Sequence, residues 1–316
     1  MNEYSCRINR VIDYIDKNLA GDLRLDDLAA VANFSKYHFN RIFHSFTGES
    51  LFQFIQRIRL EKSAILLSSR PDMSITEIAL ECGFSGPASF SKSFRSFFEK
   101  SPSEWRKEKN MYPKTVKNSN LGKLKSKQGK ESEQLLPYIE YRNGMQVYRM
   151  QTQYGERTVT VKEFPPMNVV YIRYTGQYQG NADLFQRLWN ELLHWAGPRD
   201  LVKPDTMFLA LYHDDPELTD DNLLRVSIGL TVKEDIELSG NVGLMKLNGG
   251  KYACAQFRLG PKDYGEAWRW VYSEWFPVSG YLPNDGPAFE LFPQEEGKTS
   301  AGKHRVDICV PVLPAR

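Results

Sequence analysis

The sequence predicts two domains. The first is an all-α N-terminal domain of two helix-turn-helix units joined by a long helix. The second is an α+β C-terminal domain of duplicated strand-strand-helix-strand-strand halves related by a pseudo-twofold. Three observations predict this. LRLDDLAAVANFSKYHFNRIF recurs about fifty residues later as MSITEIALECGFSGPASFSKSF, with Ala29 on Ala79, Asn33 on Gly83, Phe34 on Phe84 and, after one extra residue, Phe39 on Phe90 and Arg41 on Lys92. FLALYHDDP with LRVSIGLTV is echoed eighty positions later by AFELFPQEE with HRVDICVPV, so that Arg225 and Val226 recur as Arg305 and Val306 and Trp195 as Trp275. Between the two repeats lies MYPKTVKNSNLGKLKSKQGK, six lysines without an acid and with little that could enter a core. The 316 residues leave room for at least one further core after the first hundred.

In each copy of the first repeat an amphipathic helix stops at a residue that accepts a left-handed backbone, Asn33 or Gly83, and Phe34 or Phe84 anchors the turn from inside. Ser35 and Ser85 read as N-caps of the following helices. On those helices Phe39, Ile42, Phe43 and Phe46, and again Phe90, Phe94, Phe97 and Phe98, form the core face. The opposite face carries Lys36, Tyr37, Asn40, Arg41 and His44 in the first copy, and Ala88, Ser89, Ser91, Lys92 and Arg95 in the second. Such a face can enter a major groove, where Asn and Arg read base edges in bidentate pairs and Ser and small apolar groups make shorter contacts. A basic helix face is also ordinary solvated surface. Residues 1–110 carry 16 Lys plus Arg against 14 Asp plus Glu, so the repeat, and not the charge, points to DNA.

Between the units GESLFQFIQRIRLEKSAILLSS keeps apolar residues at helical spacing through Phe52, Ile55, Ile58, Leu60, Ala64 and Leu67. One helix of about twenty residues is a strut of roughly 30 Å, comparable with the ~34 Å between successive major-groove faces. One chain could then read two adjacent grooves.

The tract SITEIALECGFSGPASFSKSFRSFFEKSPSEWR, with its closing Ser-Pro and the Trp105–Arg106 pair, resembles the signature of the AraC/XylS-family transcription regulators. The resemblance covers about the first 107 residues. It implies base contacts by Tyr37, Asn40 and Arg41 from the first recognition helix and by Ala88, Ser91 and Lys92 from the second. Pro87 and Ala88 stand where that family commonly has glutamines, and Lys92 where it has Arg, so no target sequence is carried over.

The composition excludes several other chemistries. Cys6, Cys82, Cys254 and Cys309 are scattered without a CxxC pair, and the five histidines show no metal-binding spacing. A Gly-rich phosphate loop and a GxSxG turn are absent from the sequence, so no cofactor is expected. The opening MNEYSCRINRVIDYIDKNLAGD is charged throughout, unlike a secretory signal, and no stretch approaches ~20 apolar residues. A cytoplasmic protein without a membrane partner is expected. The division is 1–109 for the DNA reader, 110–156 for a basic linker and lead-in, and 157–316 for the second domain. The linker lysines could touch phosphates, or the segment could be a tether.

Residues 131–316 hold 19 Lys plus Arg and 25 Asp plus Glu, a balance that does not seek DNA. Their elements run in the order TVTVKEF, NVVYIRYTG, a helix over Ala182 to Trp195 and the FLALY/RVSIGLTV strands. They then repeat as VGLMKL, KYACAQFRLG, a helix over Tyr264 to Phe276 and the AFELF/RVDICVPV strands. Two such halves leave a cleft where they meet, a favoured place for a ligand. At matching strand positions the first half has Ala210 and the second Glu290, with Phe289 and Leu291 directed to the other face. A carboxylate there is either a surface group or a buried one that needs a partner.

AWRWVYSEWFPVSGYLPNDGPAFELF, within a segment from about Arg157 to Pro311, resembles the GyrI-like effector-binding domain through Trp275, Gly280, Pro283 and the Phe289–Glu290 pair. The resemblance implies that Glu290 faces an aromatic-lined cavity and meets a cationic ligand. Five of the six tryptophans lie in this domain. Trp268, Trp275, Tyr171, Tyr174 and Tyr212 are candidates for the wall through cation–π attraction, although aromatic stripes at helical spacing also serve as core. Together the two resemblances imply a sequence-specific transcription regulator that is not an enzyme, binds promoter DNA and answers a small hydrophobic or cationic organic molecule. RNA polymerase becomes a further partner if the regulator activates. GyrI-like domains also occur as hydrolases of small electrophiles using a Trp-Glu-Tyr set, of which Glu290 and Trp275 could be a remnant, or the domain could bind a protein.

Overall fold

The computed structural model describes residues 3–108, 138–142, 145–152, 155–233, 236–294 and 303–315. The lysine-rich stretch expected to be the linker lies outside the described residues. The chain separates into two compact units, Met1–Asn110 with Asn168–Leu201 and Tyr212–Lys246, and Met111–Met167 with Val202–Leu211 and Leu247–Arg316.

The first unit opens with seven helices: α1 (Glu3–Lys17), α2 (Leu25–Val31), α3 (Lys36–Thr47), α4 (Leu51–Ser69), α5 (Ile75–Glu81), α6 (Pro87–Phe98) and α7 (Pro102–Glu108). The repeat seen in the sequence is a repeat of backbone. Asn33 (φ 53°) and Gly83 (φ 78°) both take the left-handed conformation. In both turns the next phenylalanine donates its N–H to the alanine five residues back, Phe34 to Ala29 at 3.0 Å and Phe84 to Ala79 at 2.9 Å. Gly83 is needed twice over, because a Cβ there would also meet the Leu19 carbonyl oxygen at 2.5 Å and the Arg59 guanidinium at 2.8 Å. Arg59 of α4 donates to the Leu19 and Gly21 carbonyls at 3.0 and 2.9 Å, tying the strut to the end of the first helix.

Two cores flank the strut. Ile8, Val11, Ile12, Ile15, Phe39, Phe43 and Phe54 make one, and Leu60, Ala64, Ile78, Phe84, Phe90 and Phe94 make the other. α4 is a single helix of 19 residues started by a Ser50/Gln53 capping box, about 28 Å long. Three phenylalanines expected on core faces are exposed, Phe46, Phe52 and Phe97, because each sits at the edge of its apolar stripe and the neighbouring helices cover only the centre. Ser85 is not the cap expected of it: α6 starts at Pro87 after Gly86, and the Ser85 hydroxyl meets that of Ser89 at 3.1 Å. Proline at the first turn needs no cap for its missing N–H. Ser35 does stand at the N-cap of α3, but its side chain makes no cap hydrogen bond.

The rest of this unit is a three-stranded sheet in the order β6-β4-β7, formed by β4 (Met167–Thr175), β6 (Arg225–Val232) and β7 (Gly243–Leu247), with α8 (Ala182–Ala196) packed on β6. The register sets Arg173 opposite Ser227 and Tyr171 opposite Gly229. Alternation then puts Val226 and Ile228 on one face and Arg225 and Ser227 on the other.

The second unit holds β1 (Tyr138–Arg142), β2 (Met145–Thr152), β3 (Gly155–Phe164), β5 (Phe208–Tyr212), β8 (Gly250–Leu259), β9 (Tyr281–Pro283), β10 (Ala288–Phe292) and β11 (His304–Pro314). The sheet runs β1-β2-β3-β8-β11-β10-β5, with β9 paired to β11. β1 and β2 fall where a lead-in was expected: they add a hairpin to β3 in register from Gln146↔Val161 to Thr152↔Gly155. One face is covered by α9 (Tyr264–Trp270), which continues through a π-turn at Val271–Trp275 into α10 (Phe276–Ser279). In chain order β3-β4-α8-β5-β6 is followed by β7-β8-α9-β10-β11, the expected strand-strand-helix-strand-strand order twice over. β9 is an addition within the second half.

Candidate nucleic-acid interface and ligand site

On α3 the buried face is Phe39 and Phe43, and Lys36, Asn40, Arg41 and His44 are exposed on the other side. The Tyr37 side chain lies outside the described residues. On α6 Phe90 and Phe94 are buried, Ala88, Ser89, Lys92 and Arg95 are exposed, and Ser91 is half-buried. Lys36 reaches Asp26 at 3.5 Å across open solvent, a pair weak enough to yield to a phosphate. Each second helix therefore presents polar and basic groups on a rigid, core-anchored backbone, the geometry that major-groove reading requires.

In the second unit β10 brings Glu290 opposite Ile308 on β11, on the face beneath α9. Glu290 is 1% exposed. Burial of such a group demands a partner, and Trp268 Nε1 donates to its Oε1 at 2.7 Å. Half-buried aromatic side chains surround this core: Tyr264, Trp268, Tyr272 and Phe292. Trp268 stacks on Tyr272 at 17°. The Tyr264 hydroxyl meets His304 Nε2 at 2.6 Å; burial, then the Glu290 charge, pushes that hydroxyl above the ordinary tyrosine range. A buried acid beneath aromatic rings is the electrostatic complement of a flat organic cation.

The tryptophan on Glu290 is thus Trp268 and not Trp275. Trp275 is fully buried between Phe276, Tyr148 and Tyr281 as a core ring, and its Nε1 has no hydrogen-bond partner among the described residues. The three tyrosines of the first unit have their own surroundings. Tyr171 donates to Asp13 at 2.5 Å, the Tyr174 hydroxyl lies over Gly176, and Tyr212 packs against Tyr178 at 5.7 Å. Reading the sequence missed Tyr264, Tyr272, Phe292 and His304. The i, i+4, i+8 spacing of Tyr264, Trp268 and Tyr272 was the available signal, since it places all three on one helix face. An open depression of about 410 Å³ ahead of α8 is lined by Gln177, Gln179, Gly180, Asn181, Ala182 and Asp183 and has no aromatic wall.

Residues 157–313 match the family described as the GyrI-like small molecule binding domain, and residues 28–108 match a helix-turn-helix domain family. The chain is similar to the Msm operon regulatory protein of Streptococcus mutans, 38% identical over 101 residues, which are 32% of this chain and 36% of that protein. It is 30% identical over 134 residues to the DNA gyrase inhibitor of Yersinia enterocolitica, covering 41% of this chain and 82% of that one. With the probable transcription factor PqrA of Proteus vulgaris it shares 33% identity over 101 residues, 31% of this chain and 82% of that protein. The match therefore spans about a third of the Msm protein and about four fifths of each of the other two.

Proposed function

Because the chain belongs to the AraC-type helix-turn-helix transcription regulators and carries a GyrI-like small molecule binding domain, we propose that it binds promoter DNA through α3 and α6 and that a small hydrophobic or cationic molecule bound beside Glu290 changes its activity. Asn40, Arg41, Lys92 and Arg95, with Lys36, Tyr37, Ala88, Ser89 and Ser91, are the groove-facing set. Trp268 and Glu290 head the ligand site, with Tyr264 and Tyr272 in the places first given to Trp275, Tyr171, Tyr174 and Tyr212. The regulator works in the cytoplasm without catalysing a reaction, and contacts RNA polymerase where it activates.

The observation that carries the ligand reading is a carboxylate 1% exposed that accepts from the Trp268 indole N–H, beside a core against which half-buried aromatics pack. A carboxylate kept dry is costly, and a cation that displaces or shares the Trp268 hydrogen bond recovers the cost. The test is Glu290→Gln in the full chain, titrated by tryptophan fluorescence with ethidium and with uncharged phenanthridine. A buried charge-assisted contact contributes about 1.5–3 kcal/mol, so ethidium affinity falls roughly tenfold or more while phenanthridine binds equally or better. Equal ethidium binding by both proteins refutes the cation reading. It would leave the second reading, a protein partner for this domain, which the name of the gyrase-inhibiting relative favours.

A further inference from the structure

The face of β4 and β6 turned away from α8 is built of charge. Arg173 and Arg225 have side chains 1% and 3% exposed, and the Asp214 carboxylate is 1% exposed. Two of their partners come from α1 at the start of the N-terminal helices. Asp13 and Asp16, three residues apart and so on one face of α1, reach this sheet. Asp13 accepts from Arg173 Nη2 at 2.7 Å and from the Tyr171 hydroxyl at 2.5 Å. Asp16 accepts from Arg225 Nη1 at 3.0 Å. Arg225 also donates from Nη2 to Asp214 at 2.7 Å, and its backbone N–H donates to the same carboxylate. Arg173 Nε donates to Ser227, whose hydroxyl meets His213 at 2.8 Å. β7 leaves room for this seat, since a Cβ on Gly243 would meet the Tyr171 ring at 2.5 Å.

The same segment touches the strut and the second reader unit. The guanidinium of Arg225 lies 5.4 Å from the centre of the Phe54 ring on α4, and that of Arg57 lies 5.3 Å from it. Leu218 packs against the core of Leu60, Ala64, Ile78, Phe90 and Phe94. Residues 213–225 therefore touch α1, the middle of α4 and the core beneath α6. None of these contacts uses the exposed faces of α3 or α6, so the seat does not cover the groove-reading side chains. Exposed ion pairs between domains contribute little. Dry ones hold firmly, because removing one partner strands the other.

We propose that residues 213–225, with Arg173 and Tyr171, form a brace that holds the two helix-turn-helix units in one mutual geometry, so that the ligand domain sets affinity for DNA spanning two adjacent grooves. The brace rests on the DNA-reading role of α3 and α6. Loosening it costs affinity where both units must bind at once, because their relative motion has to be frozen on the duplex. A duplex bound without selection feels only the summed phosphate attraction and is unaffected.

The full chain is used to select a duplex from a random pool, and two variants are compared with it: Asp13→Asn with Asp16→Asn, and separately Leu218→Ala. Hydrogen exchange in β4, β6 and residues 213–225 reads the brace, and affinities for the selected and an unselected duplex read its consequence. Both variants, with helix content intact, should exchange faster over these segments and bind the selected duplex about five- to tenfold more weakly, an ordinary coupling between sites, with unselected DNA unchanged. Unchanged exchange overturns the brace, as does faster exchange with full affinity for the selected duplex. Equal loss on both duplexes overturns it too, since phosphate attraction is then what changed. A wild type that selects no duplex sinks the reader role itself, and the brace with it, before any variant is compared.

Discussion

Arg225 and Arg305 occupy the same place in two strands eighty residues apart and have opposite fates. Arg225 is buried at the start of β6 and pairs with Asp16 and Asp214. Arg305, on β11, keeps 34% of its side chain exposed and pairs with the buried Asp307 at 3.3 Å. Another pair of matching positions differs in the reverse sense. The first half has buried Leu188 and Ala210 where the second has Trp268 and Glu290. One duplicated scaffold thus spends its buried charge on different faces. The first half places Arg173 and Arg225 away from its own helix, where they meet Asp13 and Asp16 of α1; the second, besides the buried Asp307 on β11, places Glu290 beneath its own helix, among aromatic rings. The lesson is that a duplicated framework carries hydrophobic pattern faithfully, while each half assigns its few buried charges to a separate task.

Arg225→Met against Arg305→Met tests that contrast most severely. Stranding the buried Asp214, together with Asp16, should cost about 3–5 kcal/mol, whereas removing the partly exposed Arg305 leaves the buried Asp307 with Lys162 at 3.9 Å and should cost about 1 kcal/mol. Urea denaturation of the full chain followed by tryptophan fluorescence measures both, and equal losses would erase the difference between the halves.

Trp268→Phe keeps a ring but removes the N–H that donates to Glu290 Oε1, for an expected loss of about 2 kcal/mol. Adding Glu290→Met should restore part of that loss, because the acceptor is then removed and both positions are apolar. If the double variant were the less stable, the carboxylate would have a partner beyond Trp268 that matters more.

The smallest expected effect is one of pH and belongs to the strut, where Glu61 of α4 lies near Asp214 and Arg225 of the first half. Burial, opposed by Arg57 and reinforced by Asp214, pushes Glu61 up from 4.5 to about 7. Arg225 also faces it, and Arg57 is shared with Glu49. The folded state therefore binds more protons than the unfolded one between those values, and its stability falls as pH rises through that window. Glu61→Gln should flatten this fall and gain up to about 2 kcal/mol at pH 8. Thermal melting between pH 5 and 8 checks it. An unaltered slope would mean that Glu61 stays ionised beside Arg57.

Much was legible in the sequence alone because it is local. Helix periodicity, the left-handed turns at Asn33 and Gly83, the nineteen-residue strut and the strand-strand-helix-strand-strand order all depend on residues within a few positions of one another, and they stand as expected. Glu290 was legible as an exception to an apolar strand. Its partner was not: Trp268 and Trp275 are both aromatics on one helical stretch, and the π-turn at Val271–Trp275 helps decide which reaches Glu290. Phe46, Phe52 and Phe97 match a core pattern as well as their buried neighbours do, and only the packing of other helices leaves them in water. Nothing near Asp13 or Asp16 in sequence foretells Arg173 or Arg225, about 160 and 209 residues away. Period and turn chemistry are short-range and can be read from the chain; which buried charge meets which is decided by the fold, where desolvation forces each to find a partner.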